Sequence, residues 1–280
     1  QLLFYFVALL ALYQVVRRKR KKIHWIFCFF ISLVIINVGG KKVEENLTVH
    51  FLDVGQGSSA VVRFPNGVNY LIDAGGISKG QFDAGQYIVS PTLKKMGVKK
   101  IDRVIMTHYH PDHYGGVGSV MQNFSTPILI DNGSTPSKGD ILWSLVQERL
   151  DSVNFQKKSM SVRTQSWKEG EVTVAVHHPF DQMTMNQSNF EENDRSLVLQ
   201  LTYGGRKMLL TGDIEKKAEH ILVESGRLEK VDFLQSPHHG SRTSSTEFFL
   251  DALNPEHVVI SCGRFNRYGF PHTPVLERYQ

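Results

Sequence analysis

Thr107-His108-Tyr109-His110-Pro111-Asp112-His113 puts three imidazoles and one carboxylate within six residues, directly after the apolar run Asp102-Arg103-Val104-Ile105-Met106. Neutral imidazole and carboxylate are the ligand set for zinc, manganese or iron. His108 and His110, two apart at the end of a strand, can converge on one ion. The turn that follows can aim Asp112 and His113 at a second. Gly115-Gly116 then lets the backbone pass close to the ions and enter a helix. The chain has 12 histidines in 280 residues, and a random spread would not crowd them in this way.

Outward from this cluster, three more segments read as a strand that ends on a ligand-type residue with glycine nearby. Asp73 ends NYLIDAGG, Asp213 ends KMLLTGD, and His238-His239 end VDFLQSPHHG. A strand-ending Asp taken alone is more often a helix cap or a turn former. Together, however, these residues repeat one pattern, and active sites of layered α/β folds gather at such strand ends. Two four-coordinate ions sharing a bridge want about seven or eight ligands, and the count comes close. Asp213 is suited to bridge. His177-His178, before Pro179, reads as a strand-end pair and not as ligands.

The segments LTVHFLDV, SAVVRF, NYLIDAGG, KKIDRVIMTH, SVRTQSW, EVTVAVHHP, SLVLQLTYG, KMLLTGD, VDFLQSPHHG and HVVISCG read as strands from their apolar, β-branched runs and flanking turns. Helices are expected over 86–96, 140–150 and 215–225, and from Thr273 onwards. Strands that come early and then mix with helices favour a layered α/β fold over all-α or all-β. Gly55 and Gly57 in FLDVGQGSS read as a tight turn beside the site; without a lysine they are not a phosphate-binding loop.

The first forty residues differ in character. Residues 1–16 and 23–38 are apolar all round, and Trp25 and His24 sit where interfacial side chains belong. We read residues 1–40 as a transmembrane helical hairpin, the end of a membrane domain, 41–46 as a polar linker and 47–280 as the soluble domain. Arg17, Arg18, Lys19, Arg20, Lys21 and Lys22 carry six positive charges of a chain whose net charge is +5, which leaves residues 41–280 at −1. The positive-inside rule keeps that loop cytoplasmic and sends the soluble domain outside, in a multi-pass protein of the cell membrane. A strongly basic nucleic-acid-binding domain is excluded. Hydrophobic residues at 41% and charged residues at 21% argue against wholesale disorder. Cys28 and Cys262 are the two cysteines, too few for a Cys-rich zinc finger. The chain starts on Gln1 and stops inside the helix-like run VLERYQ, so it reads as a piece of a longer protein.

HYHPDH resembles the HxHxDH signature of the metallo-β-lactamase fold, and Asp73, Asp213 and the PHHGS histidines follow in that superfamily's order. Within it the chain is most similar to the carboxy-terminal domain of the ComEC family, the DNA-uptake channels of competent bacteria. The phrases that carry the likeness are FLDVGQGSSAVVRF, LIDAGG, ENDRSLVLQL, LLTGDIE, SPHHGSRTSS and YGFPHTPVLE. The resemblance implies an α/β fold of four layers, an αββα sandwich with the metal site on one edge. It implies His108 and His110 on one ion, Asp112, His113 and His239 on the other, and Asp213 as the bridge. Either member of the His238-His239 pair could be the ligand; His239 is favoured, with His238 near the scissile phosphate. Asp73 would orient a ligand imidazole. Many members of the superfamily have a histidine before the strand that leads to TGD. This chain has Glu192-Asn193-Asp194-Arg195-Ser196 there, so Asn193 or Asp194 must substitute, and an oxygen donor would make that site more tolerant of Mn²⁺.

The activity implied is metal-dependent hydrolysis, with Mn²⁺ or Zn²⁺ as the two ions. The substrate would be DNA, as a single strand, at the outer face, with the non-transported strand degraded during uptake in natural transformation. Residues 1–38 would hold the membrane, and the competence DNA-uptake machinery would be the partner. Two ions about 3.5–4 Å apart activate water and neutralise the phosphate charge. Asp112 and His238 would act at the reacting atoms. His272 would donate a proton to the leaving group. Ser241, Arg242, Thr243 and Ser244 are suited to phosphate oxygens. Tyr109 and Phe270 could stack on a base, although Tyr109's place between two ligands favours packing. An enzyme acting on cell-envelope phosphodiesters or esters and a non-catalytic DNA-guiding domain are the competing readings.

Overall fold

A computed structural model describes residues 6–10, 13, 46–78, 82–161, 166–180 and 190–280. Its contacts divide the chain into Gln1–Val43 and Glu44–Gln280. Of the two apolar segments expected to span a membrane, 23–38 lies outside the described residues, and of 1–16 only 6–10 and 13 are described. Among the described residues no helix is long and apolar enough to cross a membrane.

The strands from Thr48 onwards are short, and their alternation assigns each side chain to one of two faces. One sheet holds β1 (Thr48–Phe51), β2 (Ala60–Arg63), β3 (Asn69–Ile72), β6 (Arg103–Ile105), β7 (Ile128–Asp131) and β8 (Gln156–Ser159), hydrogen-bonded in that order. β4 (Ile77–Ser78) and β5 (Phe82–Asp83) form a small hairpin beside it. The second sheet holds β9 (Trp167–Glu169), β10 (Val172–His178), β11 (Val198–Tyr203), β12 (Arg206–Leu210), β13 (Phe233–Gln235) and β14 (His257–Val259), paired from β14 across to β9. Each sheet is antiparallel at one end and parallel where it matters for the site: β3 runs parallel to β6, and β12 to β13.

Three separate apolar cores show how these sheets are layered. Ala60, Val62, Tyr70, Ile72, Ile105 and Ile130 from the first sheet meet Val172, Val174, Leu199, Leu201 and Leu210 from the second. The intervening residues point the other way. Val61, Leu71, Val104 and Leu129 pack under α1 (Ser90–Lys95), α3 (Val117–Asn123) and α4 (Ile141–Asp151) through Leu93, Val117, Val120, Val146 and Leu150. Val198, Leu209 and Leu234 pack under α5 (Lys216–Glu224) and α6 (Glu247–Leu253) through Ala218, Leu222, Phe249 and Leu253. The result is helix, sheet, sheet, helix. Two further short helices in Glu44–Gln280, among the described residues, are α2 (Pro111–Tyr114) and α7 (Thr273–Arg278).

Helix ends follow local chemistry. Asp140 caps α4 by accepting from the backbone N–H groups of Leu142 and Trp143, so the helix begins one residue later than the sequence suggests. The expected helix over 86–96 is a π turn, Gly85–Val89, followed by α1. β7, β8 and α6 were not anticipated. α6 carries its own signal, Thr246 capping Phe249 N–H with Glu247 in the first turn. The expected late strand VDFLQSPHHG pairs only through Phe233–Gln235; Pro237–Gly240 is a tight turn.

Candidate metal centre

Four strand ends deliver the ligand-type residues to one edge of the sandwich. Asp73 follows β3, His108–His113 follow β6, Asp213 follows β12, and His239 follows β13. Because these pairs are parallel within their sheets, all four ends open on the same side. Two groups of side chains have ligand atoms within 4.8 Å of one another: His108, His113 and Asp213, all buried, and Asp112, His113 and His239.

Hydrogen bonds behind the imidazoles determine which nitrogen faces the centre. His113 Nδ1 lies 2.7 Å from Asp73 Oδ2, and His239 Nδ1 lies 2.7 Å from the carbonyl oxygen of Ser261. Both partners only accept, so both Nδ1 atoms donate and both Nε2 lone pairs point inward. In the neutral rings the two Nε2 atoms, 3.3 Å apart, both present lone pairs to the space between them. Asp213 Oδ1 is 3.2 Å from His113 Nε2, and its Oδ2 is 3.3 Å from His239 Nε2. Asp112 Oδ2 is 3.4 Å from His239 Nε2. The Thr107 hydroxyl donates to Asp73 Oδ2 and thus accepts from His108 Nδ1 at 3.1 Å. His108 Nε2 therefore faces His110 Nδ1, 3.1 Å away. A set of inward lone pairs and carboxylate oxygens is a site for cations, and this donor set fits divalent metal ions.

The electrostatics agree. Burial disfavours charge on His239, yet the Asp213 and Asp112 carboxylates outweigh it and push the imidazole up to about 10. His113 is likewise raised well above its ordinary value against its burial, by Asp213 and Asp73. Burial opposes ionisation of Asp112 and Asp213 too, but the imidazoles around them hold both below the usual carboxylate range. His108 moves the other way, lowered by burial and by His113 beside it. Without ions, protons on imidazole serve as the cations the acids require.

The backbone is shaped to let this happen. Asp73, His238 and His239 all have positive φ, at 54°, 47° and 56°. Such conformations persist only where the surroundings impose them. Gly57 has φ of 135°, and a Cβ there would lie 2.3 Å from the carbonyl oxygen of Asp112. The FLDVGQGSS turn therefore presses on the loop that carries Asp112, and Ser58 N–H bonds the same oxygen at 3.1 Å.

The remaining site candidates are distributed around this centre. His239 lies in the ligand group. His238 sits at its rim, one fifth exposed, with Nδ1 2.9 Å from Glu215 Oε1 and Nε2 4.0 Å from Asp213 Oδ2. Of Asn193 and Asp194, the two candidates to replace a ligand histidine, neither lies in the two ligand groups among the described residues. Asp194 is buried. Its Oδ1 accepts from the N–H groups of Glu215 and Ala218 at 2.8 and 3.2 Å, at the start of α5. Asn193 donates to Glu215 Oε1 at 3.1 Å and approaches His238 Nε2 at 3.5 Å. Ser241 Oγ pairs with Thr243 Oγ1, while Arg242 and Thr243 are exposed. Ser244 faces inward, its hydroxyl donating to the Pro237 and Ser241 carbonyls, so it is not available to a phosphate. His272 Nδ1 accepts from Arg242 N–H at 3.0 Å. Tyr109 is buried, bonded to Asp131 and packed on Trp143. Phe270 is half-buried and packs on both His238 and His239. His178 is buried on the Asp194 carbonyl. Thr107, Glu215 and the Ser261 carbonyl were missed from the sequence. Glu215 has a local signal, standing two residues after Asp213; the Ser261 carbonyl is backbone and has none.

Comparison with known proteins places these residues in a family context. Residues 52–264 match the model of the Metallo-beta-lactamase superfamily. The chain is similar to ComE operon protein 3 of Bacillus subtilis, 30% identical over 245 residues, covering 83% of this chain and 30% of that protein. It is 31% identical to Recombination protein 2 of Haemophilus influenzae over 230 residues, covering 82% of this chain and 26% of the relative. It is also 31% identical to Competence protein ComA of Neisseria gonorrhoeae over 236 residues, with 84% and 30% covered. The chain thus spans less than a third of the length of these curated relatives. Among solved structures, the short form of human tRNase Z aligns over 77% of this chain and 92% of its own, with 16% identity and a TM-score of 0.48.

Proposed function

The chain belongs to the metallo-β-lactamase superfamily, as a carboxy-terminal domain of the ComEC competence family, and from that premise we propose that it hydrolyses DNA phosphodiester bonds with two divalent ions, Mn²⁺ or Zn²⁺. The single observation that carries this reading is the pair of ligand groups that share His113, one completed by His108 and Asp213 and the other by Asp112 and His239. Paired ions in such a site supply Lewis acidity and an activated water for phosphoryl transfer.

The chain's own residues do the rest. Asp73 and the Ser261 carbonyl hold two imidazoles in the tautomer that presents Nε2. Asp213 spans the two groups with its separate oxygens. Exposed Arg242 and Thr243 offer a guanidinium and a hydroxyl to phosphate oxygens beside the centre. His272 accepts from a backbone N–H at Nδ1, so its neutral form carries the proton on Nε2 and can donate a hydrogen bond from there to a leaving oxygen. Burial, Arg242 and His238 lower its pKa, which favours that neutral form at pH 7, so its role is to orient the leaving oxygen while solvent supplies the proton.

The substrate reading draws on the names of the relatives, a competence protein and a recombination protein. In the whole protein, residues 1–38 would tether the domain to the outer face of the cell membrane. There it would degrade the strand that does not enter, within the competence DNA-uptake machinery. The test is cleavage by the full chain loaded with Mn²⁺ or Zn²⁺. Single-stranded DNA, duplex DNA and a generic small phosphodiester would be compared, with Asp112→Ala and Asp213→Ala as controls. Metal-dependent DNA cleavage lost in both variants supports the reading. Turnover of the small phosphodiester with intact DNA would favour an enzyme of cell-envelope substrates, a reading that the −1 charge of residues 41–280 also suits.

A further inference from the structure

The segment Gly263-Arg264-Phe265-Asn266-Arg267-Tyr268-Gly269-Phe270-Pro271 is shaped by a single side chain. Asn266 Nδ2 donates to the carbonyls of Gly263 and Phe270 at 2.7 and 2.8 Å. Asn266 Oδ1 accepts from the N–H groups of Tyr268 and Phe270 at 3.1 and 2.9 Å. All of its hydrogen-bonding capacity goes into closing this loop. Gly263 docks against the Gly55–Gly57 turn; a Cβ there would meet Gln56 N at 2.8 Å. The loop is therefore fixed at the edge of the metal centre.

What this fixed loop displays is unusual for a surface. Phe265 is 91% exposed and Tyr268 is 47% exposed. Among the described residues Phe265 is the most exposed large hydrophobic side chain, and it stands beside a second exposed ring rather than alone. The Arg264 guanidinium lies 5.3 Å from the Phe265 ring and that of Arg267 5.0 Å from the Tyr268 ring. Among the described residues neither arginine is paired with a carboxylate, and the sequence from His257 to Leu276 contains no acidic residue. Tyr268 continues inward as a stack: its ring lies 5.3 Å from Phe270 at 16°, and Phe270 lies 6.1 Å from the ligand His239 at 30°. Exposed aromatic faces interleaved with guanidinium groups match bases and phosphates, and such platforms bind single strands, whose bases are free to stack.

We propose that the Gly263–Pro271 loop is a docking platform for single-stranded DNA, with bases stacking on Phe265 and Tyr268, phosphates on Arg264 and Arg267, and the Tyr268–Phe270 stack leading the strand to the metal centre. This proposal deepens the nuclease reading and rests on it for the identity of the ligand. It confers a preference for single strands that a centre contacting only phosphate would not have, since a duplex keeps its bases stacked on one another.

The test is binding without chemistry. The full metal-free chain in detergent would be titrated into a labelled oligodeoxythymidylate, into duplex of equal length and into anionic phospholipid vesicles, with anisotropy or sedimentation as the readout. Phe265→Ala/Tyr268→Ala should weaken single-strand binding by on the order of ten-fold or more. Arg264→Ala/Arg267→Ala should lower the salt dependence of binding, by about 0.7 in the log–log slope for each phosphate that an arginine no longer neutralises. Circular dichroism and Mn²⁺ uptake, whose ligands these four residues are not, check that the variants fold. Equal single-strand binding by wild type and the aromatic variant, or none by either, overturns the platform. So does a loss of vesicle binding in place of DNA binding. The two readings fail separately. A metal-loaded chain that cuts DNA with unaltered binding in the variants removes the platform alone. Weakened binding in the variants of a chain that cuts no DNA removes the nuclease reading and leaves the platform standing.

Discussion

His113 and His239 come from different sheets, yet their Nε2 atoms stand 3.3 Å apart with each Nδ1 hydrogen-bonded outward. In the neutral rings neither Nε2 carries a proton to share, and the Asp213 carboxylate beside both draws a cation, a proton or a metal ion, to that space. The pair is held together by what fits between it and the two carboxylates beside it.

His113 belongs to both ligand groups, whereas Asp112 belongs to one. His113→Ala should therefore cost the chain both ions after dialysis, and Asp112→Ala should leave one. Inductively coupled plasma mass spectrometry of the dialysed proteins measures this directly. Equal ion counts in the two variants would show that His113 is not shared.

Asp73 acts through His113, touching its outward Nδ1 and the Thr107 N–H and hydroxyl but none of the inward-facing ligand atoms. Asp73→Ala frees the ring to rotate and to change tautomer. Metal affinity should fall about 10–100-fold, as for other partners behind ligand imidazoles. Isothermal titration with Mn²⁺ reads the affinity, and an unchanged constant would remove Asp73 from this role.

The metal-free chain should lose stability as pH rises above neutrality. His239 is raised from 6.5 to about 10 in the folded state, so its contribution is complete below 6.5 and lost as pH climbs through 10. His113, also raised, acts in the same direction. Below 6.5 the groups oppose one another: burial raises Glu219 from 4.5 to about 7, whereas His178, lowered by burial to about 4, and the buried His108 add stability as pH rises. Thermal melts between about pH 7 and 10 should therefore slope downward. Saturating Mn²⁺ should flatten that slope, because it replaces the protons on the site imidazoles. A metal-free melting temperature that is level or rising above about pH 7 contradicts the assignment.

Gly57→Ala adds a methyl group where the nearest atom, a carbonyl oxygen of the Asp112 segment, would be 2.3 Å away, at a φ of 135°. Relieving this must move the loop that carries Asp112. We expect about 1–3 kcal/mol of destabilisation, together with weaker binding of the ion that Asp112 holds. Melting temperature and Mn²⁺ titration test the two effects, and a variant as stable as wild type would mean that the turn yields freely.

The part of this site most legible in the sequence was the part built from neighbours. His108, His110, Asp112 and His113 are brought together by one strand end, so spacing alone reveals them. Asp73, Asp213 and His239 were legible because each ends a strand, and the fold opens those ends on one side. Asp194 shows where such reasoning stops. It stands where a ligand was wanted, but two unpaired N–H groups at the start of α5 claim its oxygen. A local cap and a metal ligand look alike until the partner is known. The Ser261 carbonyl is invisible for another reason, since every residue has one. In the fold, β7 went unseen because it is a short inner strand with three of its four residues buried, and Ile128-Leu129-Ile130 reads as a brief apolar run between Pro127 and the polar stretch after it.

The ligand-type side chains come from both sheets, with His108, Asp112 and His113 from the first and Asp213 and His239 from the second. Ions bound there would act as rivets through the rim of a two-leaf structure whose leaves otherwise meet through side-chain packing and a few hydrogen bonds, such as Leu197 N–H to Thr107 O at 2.8 Å. Stripping the ions should open the rim first and leave the hinge of the leaves shut. Amide exchange would then quicken around Asp112 and His239 well before the apolar interior between the sheets begins to trade its protons.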